Sequence, residues 1–179
     1  ILWRYNIETS KRSNINPFYA IEIFEKGQSY VKSNKEIINL SLGEPSAILP
    51  YQLKKMLADK IFNTRFGYTE SIGVTSLRKE IAKHYKNKYG IEISYKNIAV
   101  TAGASAGIFM ALITLFDPSS IIAVSSPGYP CYRNIINTLG LKTYLIPTDK
   151  ENNFQLTPKL VKNLPKNVTG LIISSPSNP

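Results

Sequence analysis

The sequence predicts an α/β protein: a mostly parallel sheet with helices over both faces, in three layers. Three observations lead there. From Asn97 onward, short apolar runs alternate with helical stretches. Runs such as Ile121-Ile122-Ala123-Val124 and Leu171-Ile172-Ile173 are continuously apolar, as strands buried on both faces are. Between successive runs lies enough chain for a crossover helix, which parallel pairing requires.

The elements follow in order. Asn16-Pro17 is a helix-start signal, an N-cap with proline at the first helical position, and Ala20, Phe24, Gly27 and Val31 recur at helical spacing. Ile37-Ile38-Asn39-Leu40-Ser41-Leu42 reads as a short strand, stopped by Gly43-Glu44-Pro45. Leu53, Met56, Leu57 and Ile61 mark one amphipathic helix. Leu77, Ile81 and Tyr85 mark another, which Tyr89-Gly90 closes with a glycine cap. Strands are then expected at 98–100, 121–124, 143–146 and 171–173, with helices at 105–116, 132–139 and 158–164 between them. There is no internal repeat and no low-complexity linker. Because the alternation has not begun before Pro50, residues 1–50 are expected to form an arm and a small-domain element. Residues 51–179 would be the first part of a larger domain.

Bulk properties narrow the function classes. A net charge of +10 invites a nucleic-acid reading, but the positive residues are mostly lysines scattered along helices, with no clustered basic stripe. Neither a nucleic-acid nor a membrane partner is expected, since the longest apolar stretch, 108–116, is far short of a membrane span. Ile1-Leu2-Trp3 gives way at once to Arg4, Asn6, Glu8 and Lys11, so no signal-peptide core is present. A start at Ile1 instead of Met suggests a truncated, trimmed or non-standard beginning. The single cysteine, Cys131, excludes an internal disulfide framework and points to a reducing, cytoplasmic location.

Three strand-to-loop junctions carry chemistry. Thr101-Ala102-Gly103-Ala104-Ser105 joins a strand to a helix, which would present backbone N–H groups and a helix dipole to a phosphate. Read alone, a small-residue turn of this kind more often reflects close packing of helix on strand. Gly103-Ala104-Ser105-Ala106-Gly107 also matches the Gly-x-Ser-x-Gly nucleophile elbow, which would make Ser105 the nucleophile of a serine hydrolase. Such a hydrolase needs a histidine base after its serine, and the only histidine, His84, precedes it. Pro127-Gly128-Tyr129-Pro130 follows the next strand, where a tyrosine held by Gly and Pro can stack on a planar ring or simply pack. Cys131 beside it reads as small packing, not as a nucleophile. Asn178 closes the third junction, within Ser175-Pro176-Ser177-Asn178-Pro179.

In combination these stretches resemble the N-terminal half of a class I/II aminotransferase of pyridoxal-phosphate (PLP) fold type I, over about residues 17–179. To them belong also Leu40-Ser41-Leu42-Gly43-Glu44-Pro45, Gly67-Tyr68-Thr69-Glu70-Ser71-Ile72-Gly73 with Leu77-Arg78, Asp117-Pro118, and Tyr132 after the Pro-Gly-Tyr-Pro turn. The resemblance implies a PLP-binding large domain, incomplete at its C-terminus. It implies that Gly103, Ala104 and Ser105 cradle the PLP phosphate, that Tyr129 stacks on the pyridine ring and that Asn178 bonds its phenolic oxygen. Gly43 would lie near the substrate carboxylate. Tyr68 would reach the phosphate of a neighbouring subunit, so a homodimer with shared sites is implied. The implied activity, of a biosynthetic kind, moves an amino group from an amino acid to a 2-oxo acid.

The family's Schiff-base lysine, its pyridinium aspartate and its two binding arginines follow the Asn-Pro motif and have no match here. No catalytic residue and no metal ligand is therefore expected in this chain, which would be inactive alone. Two other readings stand beside this one: the Ser105 hydrolase, and a residual, non-catalytic fragment.

Overall fold

Three of the apolar runs form a parallel sheet. In the computed structural model, which describes residues 8–33, 36–43 and 45–178, strand β1 (Ile121–Ser126) lies between β2 (Lys142–Pro147) and β3 (Val168–Leu171), parallel to both. The apolar start at Ile1-Leu2-Trp3, and Glu44 and Pro179 of the two proline turns, lie outside the described residues. The chain divides into two compact units, one of residues up to Tyr19 with those from Ala102 on, the other Ala20–Thr101.

The first unit holds the sheet and every buried apolar residue among those described. Ile122, Ala123 and Val124 are buried because β1 is the middle strand, covered by neighbours on both edges. Helix α4 (Ala104–Leu115) and helix α5 (Pro130–Thr138) supply Leu112 and Ile136 to a core with Ile122, Val124 and Leu141. The short α6 (Pro158–Lys162) is capped by Thr157, whose Oγ1 accepts from the Leu160 N–H at 3.3 Å. It ends before Leu164, where the sequence pattern put its end.

β3 starts three residues earlier than its apolar run, because pairing with β1 begins at Val168. The register slips between Ile121 and Ile122, leaving Thr169 as the extra residue, and its hydroxyl donates to the Ile121 carbonyl at 3.3 Å. Ile172 N–H still reaches the Ala123 carbonyl at 3.0 Å, so the apolar run continues the edge beyond the strand.

The second unit is helical. Helix α1 (Tyr19–Lys32), α2 (Tyr51–Asn63) and α3 (Thr75–Tyr89) fall where the apolar periodicity puts helices. α3 ends on Gly90 in the left-handed region, with Gly90 N–H bonded to the Lys86 carbonyl and Ile91 N–H to that of Tyr85. Three expectations change. α1 starts at Tyr19, not after Asn16, because the Asn16 carbonyl is engaged instead by Asn134 Nδ2 of α5 at 3.3 Å. Residues 37–42 form no strand: Asn39 Oδ1 accepts from the Ser41 N–H and hydroxyl, closing an Asx turn. Residues 98–100 form none either, since the bond from Val100 N–H to the Ile72 carbonyl at 3.0 Å is the one they make to a distant segment among the described residues, and it makes no ladder.

The buried polar side chain of this unit is Arg78, 6% exposed. Its Nε donates to the Gly73 carbonyl at 2.9 Å, one terminal nitrogen to the Tyr95 carbonyl at 3.2 Å, and the other to Thr75 Oγ1 at 3.1 Å. It ties the entry of α3 to the 3-10 turn Tyr95–Asn97. Beside it, hydrogen bonds from its own and the Thr75 backbone N–H hold the exposed Glu70 carboxyl below the usual carboxylate range.

Candidate functional site

In a parallel sheet, the loops that leave the C-terminal ends of the strands line the ligand crevice. β1 and β3 are parallel neighbours, so the segments that follow them, with Tyr129 and Asn178, emerge at the same end of the sheet. Each of these loops contains a cis peptide bond, Ser126–Pro127 and Ser175–Pro176.

The Tyr129 loop is built tightly. A Cβ on Gly128 would sit 2.6 Å from the Ser125 carbonyl oxygen, so the turn closes only with glycine there. Pro130 then opens α5 at its first position, where a missing N–H costs nothing. Tyr129 is the half-buried N-cap of α5. Two rings meet it nearly at right angles: Tyr132 at 5.4 Å and 82°, and Phe18 at 5.8 Å and 85°. Burial pushes its phenol above the usual range, and Cys131 and Tyr132 beside it act in the same direction, so the hydroxyl stays protonated at neutral pH.

α4 opens on Gly103, whose φ of 84° and ψ of 166° belong to a region only glycine enters readily. The space where its Cβ would stand is empty to 4 Å. Gly103, Ala104 and Ser105 are all exposed at this helix start, where first-turn N–H groups point out of the helix. Ser105 Oγ lies 3.5 Å from Cys131 Sγ, and Cys131 is two residues from Tyr129 in the chain. The thiol therefore links the starts of α4 and α5, bringing Ser105 and Tyr129 to one place. Asn178 is exposed in the loop after β3, which Gln155 steadies by donating from Nε2 to Ser177 Oγ at 2.9 Å.

Gly43 and Tyr68 belong to the other unit. Gly43 is exposed in the loop before α2, and Tyr68 stands wholly in solvent between α2 and α3. Sequence reasoning missed two neighbours. Cys131 does more than pack, and Phe18 was not singled out at all; its only signal was an aromatic residue just before a helix start.

The nucleophile-elbow reading does not survive this geometry. An elbow puts its serine on the strained turn itself. Here Ser105 sits inside α4 with a thiol as its partner, and the unusual backbone belongs to Gly103. His84 packs edge-on against Tyr85 and Tyr89 of α3. Among the described residues no group of three His, Cys, Asp or Glu is gathered to hold a metal, and no helix is long and apolar enough to cross a membrane.

A sequence model of the family aminotransferase class I and II matches residues 35–179. The chain is 32% identical over 168 residues to valine–pyruvate aminotransferase of Mycobacterium tuberculosis, a match covering 94% of this chain and 43% of that protein. It is 29% identical over 184 residues to tyrosine aminotransferase of Mus musculus, covering 98% and 40%. Among solved structures it is similar to an aminotransferase from Mycobacterium tuberculosis, with TM-score 0.91, 30% identity, and coverage of 97% of this chain and 45% of that one. The chain thus spans less than half the length of the relatives it matches.

Proposed function

Since this chain belongs to the class I and II aminotransferases, we propose that it supplies the phosphate- and ring-binding part of a pyridoxal-phosphate enzyme that moves an amino group from an amino acid to a 2-oxo acid. One observation carries the proposal: the exposed helix start at Gly103–Ser105 touches Cys131, two residues along the chain from the half-buried Tyr129.

The residues fit the cofactor. The empty space beside Gly103 lets a phosphate approach the backbone, and the first-turn N–H groups with the Ser105 hydroxyl are the donors it needs. Tyr129 offers a flat ring whose tilt is set by its neighbours, and Asn178 offers an amide to the phenolic oxygen. When bound, pyridoxal phosphate supplies an electron-withdrawing ring that takes up charge from an amino acid losing its α-proton. The lysine, the aspartate and the arginines that complete such a site are proposed to lie in the length of the relatives that this chain does not span. The relatives' names share amino transfer and differ in the amino acid, so the proposal is for the common step.

Several finer readings belong to the same proposal. Tyr68, solvent-exposed, would reach the phosphate site of a second subunit in a homodimer, and Gly43 would lie near the substrate carboxylate. The protein would be cytoplasmic. Residues 1–50 would serve as arm and small-domain element, with 51–179 opening the large domain.

Two substitutions in the full-length protein test the site. Tyr129→Ala is expected to weaken retention of pyridoxal phosphate by about 1 kcal/mol, and Tyr129→Phe to keep it, because stacking needs the ring and not the hydroxyl. Equal cofactor occupancy in both variants and the parent would remove Tyr129 from the site. Ser105→Ala is expected to cost roughly 1.5–3 kcal/mol of cofactor affinity, the worth of a hydrogen bond to a charged group, with activity recovering at excess cofactor. A nucleophile would instead lose orders of magnitude without recovery. Covalent capture of Ser105 by a serine-directed phosphonate would revive the hydrolase reading.

A further inference from the structure

The backbone of Tyr129 is held from both sides, by Gly128 pressed on Ser125 and by Pro130 at the start of α5. Neither constraint sets the plane of its ring. Side chains do that. Tyr132 and Cys131 come with the same helix and would be present in any conformation of the rest of the chain. Phe18 is different. It belongs to the segment before α1 and reaches Tyr129 only because that segment is anchored on α5.

The anchor is visible at two points. Asn134 Nδ2 donates to the Asn16 carbonyl at 3.3 Å, and the 3-10 turn Lys11–Ser13 packs on α5. The same anchor displaces the start of α1 from Asn16 to Tyr19 and leaves Phe18 half-buried against the ring. Near-perpendicular aromatic pairs at this separation are directional contacts, so the ring of Tyr129 has a preferred tilt only while both partners are in place.

We propose that Phe18 is a positioning residue for Tyr129: the N-terminal segment, clipped to α5 through Asn16 and Asn134, holds the Tyr129 ring at the tilt in which it receives a planar cofactor. This rests on the reading of Tyr129 as the stacking partner. It adds that the segment before α1 belongs to the cofactor site, although none of its own groups need touch the cofactor.

The test uses the full-length protein with Phe18→Ala, Phe18→Leu and Phe18→Tyr, each alone and with Tyr129→Ala. Two quantities are read: affinity for pyridoxal phosphate against affinity for inorganic phosphate, and the Tyr129 contribution to near-ultraviolet circular dichroism, taken as the difference from Tyr129→Ala. Phe18→Ala and Phe18→Leu should lower pyridoxal-phosphate affinity about two- to fivefold, no more than Tyr129→Ala does, and leave inorganic phosphate binding unchanged. Phe18→Tyr should restore it. In the Tyr129→Ala background, Phe18 substitutions should have no further effect, and the Tyr129 dichroism should vanish with Phe18→Ala and Phe18→Leu. The leucine variant preserves apolar volume, so a folding defect in the alanine variant leaves the test intact. Full affinity in Phe18→Leu, an unchanged Tyr129 dichroism, or an undiminished effect without Tyr129 would each overturn the proposal. If the dichroism is lost while Tyr129→Ala leaves cofactor binding untouched, the positioning stands and the stacking role falls.

Discussion

Mixed with pyridoxal phosphate and an amino acid, the 179-residue chain by itself is expected to transfer no amino groups beyond the rate of the free cofactor. The family's cofactor-binding lysine and pyridinium aspartate are proposed to lie in the length of the relatives that this chain does not span. On that reading, a cofactor docked at Gly103–Ser105 would lack its covalent anchor and the partner that makes its ring an electron sink. The chain's physical state adds to this. Ile38, Leu40 and Phe62 are each more than four-fifths exposed, and the Leu53, Met56, Leu57 and Ile61 face of α2 meets solvent along its length. β2 and β3 each pair only with β1 among the described residues, so each presents an outer edge. Apolar surface and open edges together favour self-association. The check is borohydride reduction with mass-spectrometric mapping of lysines, beside an amino-transfer assay and light scattering. One stoichiometrically labelled lysine with turnover above free cofactor would mean that 179 residues suffice.

The second large effect is expected at Arg78. Its three hydrogen bonds run to Gly73 and Thr75 at the entry of α3 and to Tyr95 in the 3-10 turn, from a side chain almost out of solvent. Its guanidinium also lies 5.6 Å from the centre of the Tyr95 ring. Arg78→Met keeps most of the apolar stem and removes all five donors, leaving the Gly73 carbonyl without Nε and the Tyr95 carbonyl with the Ile98 N–H at 3.3 Å. The expected loss of stability is roughly 2 kcal/mol, since three part-buried hydrogen bonds to a charged donor are lost together. Arg78→Lys should recover only part of it, because an ammonium cannot span three acceptors with a planar fork. Denaturant unfolding of the full-length protein measures the shift in midpoint. A change under about 0.5 kcal/mol in Arg78→Met, the scatter of ordinary surface substitutions, would show that the network carries little.

Both predictions start from residues whose roles were unequally legible. Arg78 was visible in the sequence only as part of a motif, next to Leu77 on an amphipathic helix. Nothing in helical periodicity says that an arginine turns inward; that depends on carbonyls at Gly73 and Tyr95 being delivered to one spot. Ser105 and Tyr129 were legible as candidates, because small residues before a helix and a tyrosine between Gly and Pro are local signals. That Cys131 joins them was not, because its neighbours come from the starts of two different helices.

The sequence by itself determined the class of fold. Continuous apolar runs spaced by helical stretches leave a parallel sheet as the arrangement that buries both faces of Ile122-Ala123-Val124, and burial is a property of composition and spacing. It also determined the helix faces and the glycine stop at Gly90, which rest on local backbone preference. The tertiary structure alone decided which apolar runs become strands. The runs at 37–42 and 98–100 resemble 121–124 in composition, yet a strand exists only where another lies alongside to share its hydrogen bonds, and only the last has two. It also decided where α1 begins and that Phe18 meets Tyr129. Both depend on Asn134 reaching Asn16 from 118 residues away, a contact with no local signature.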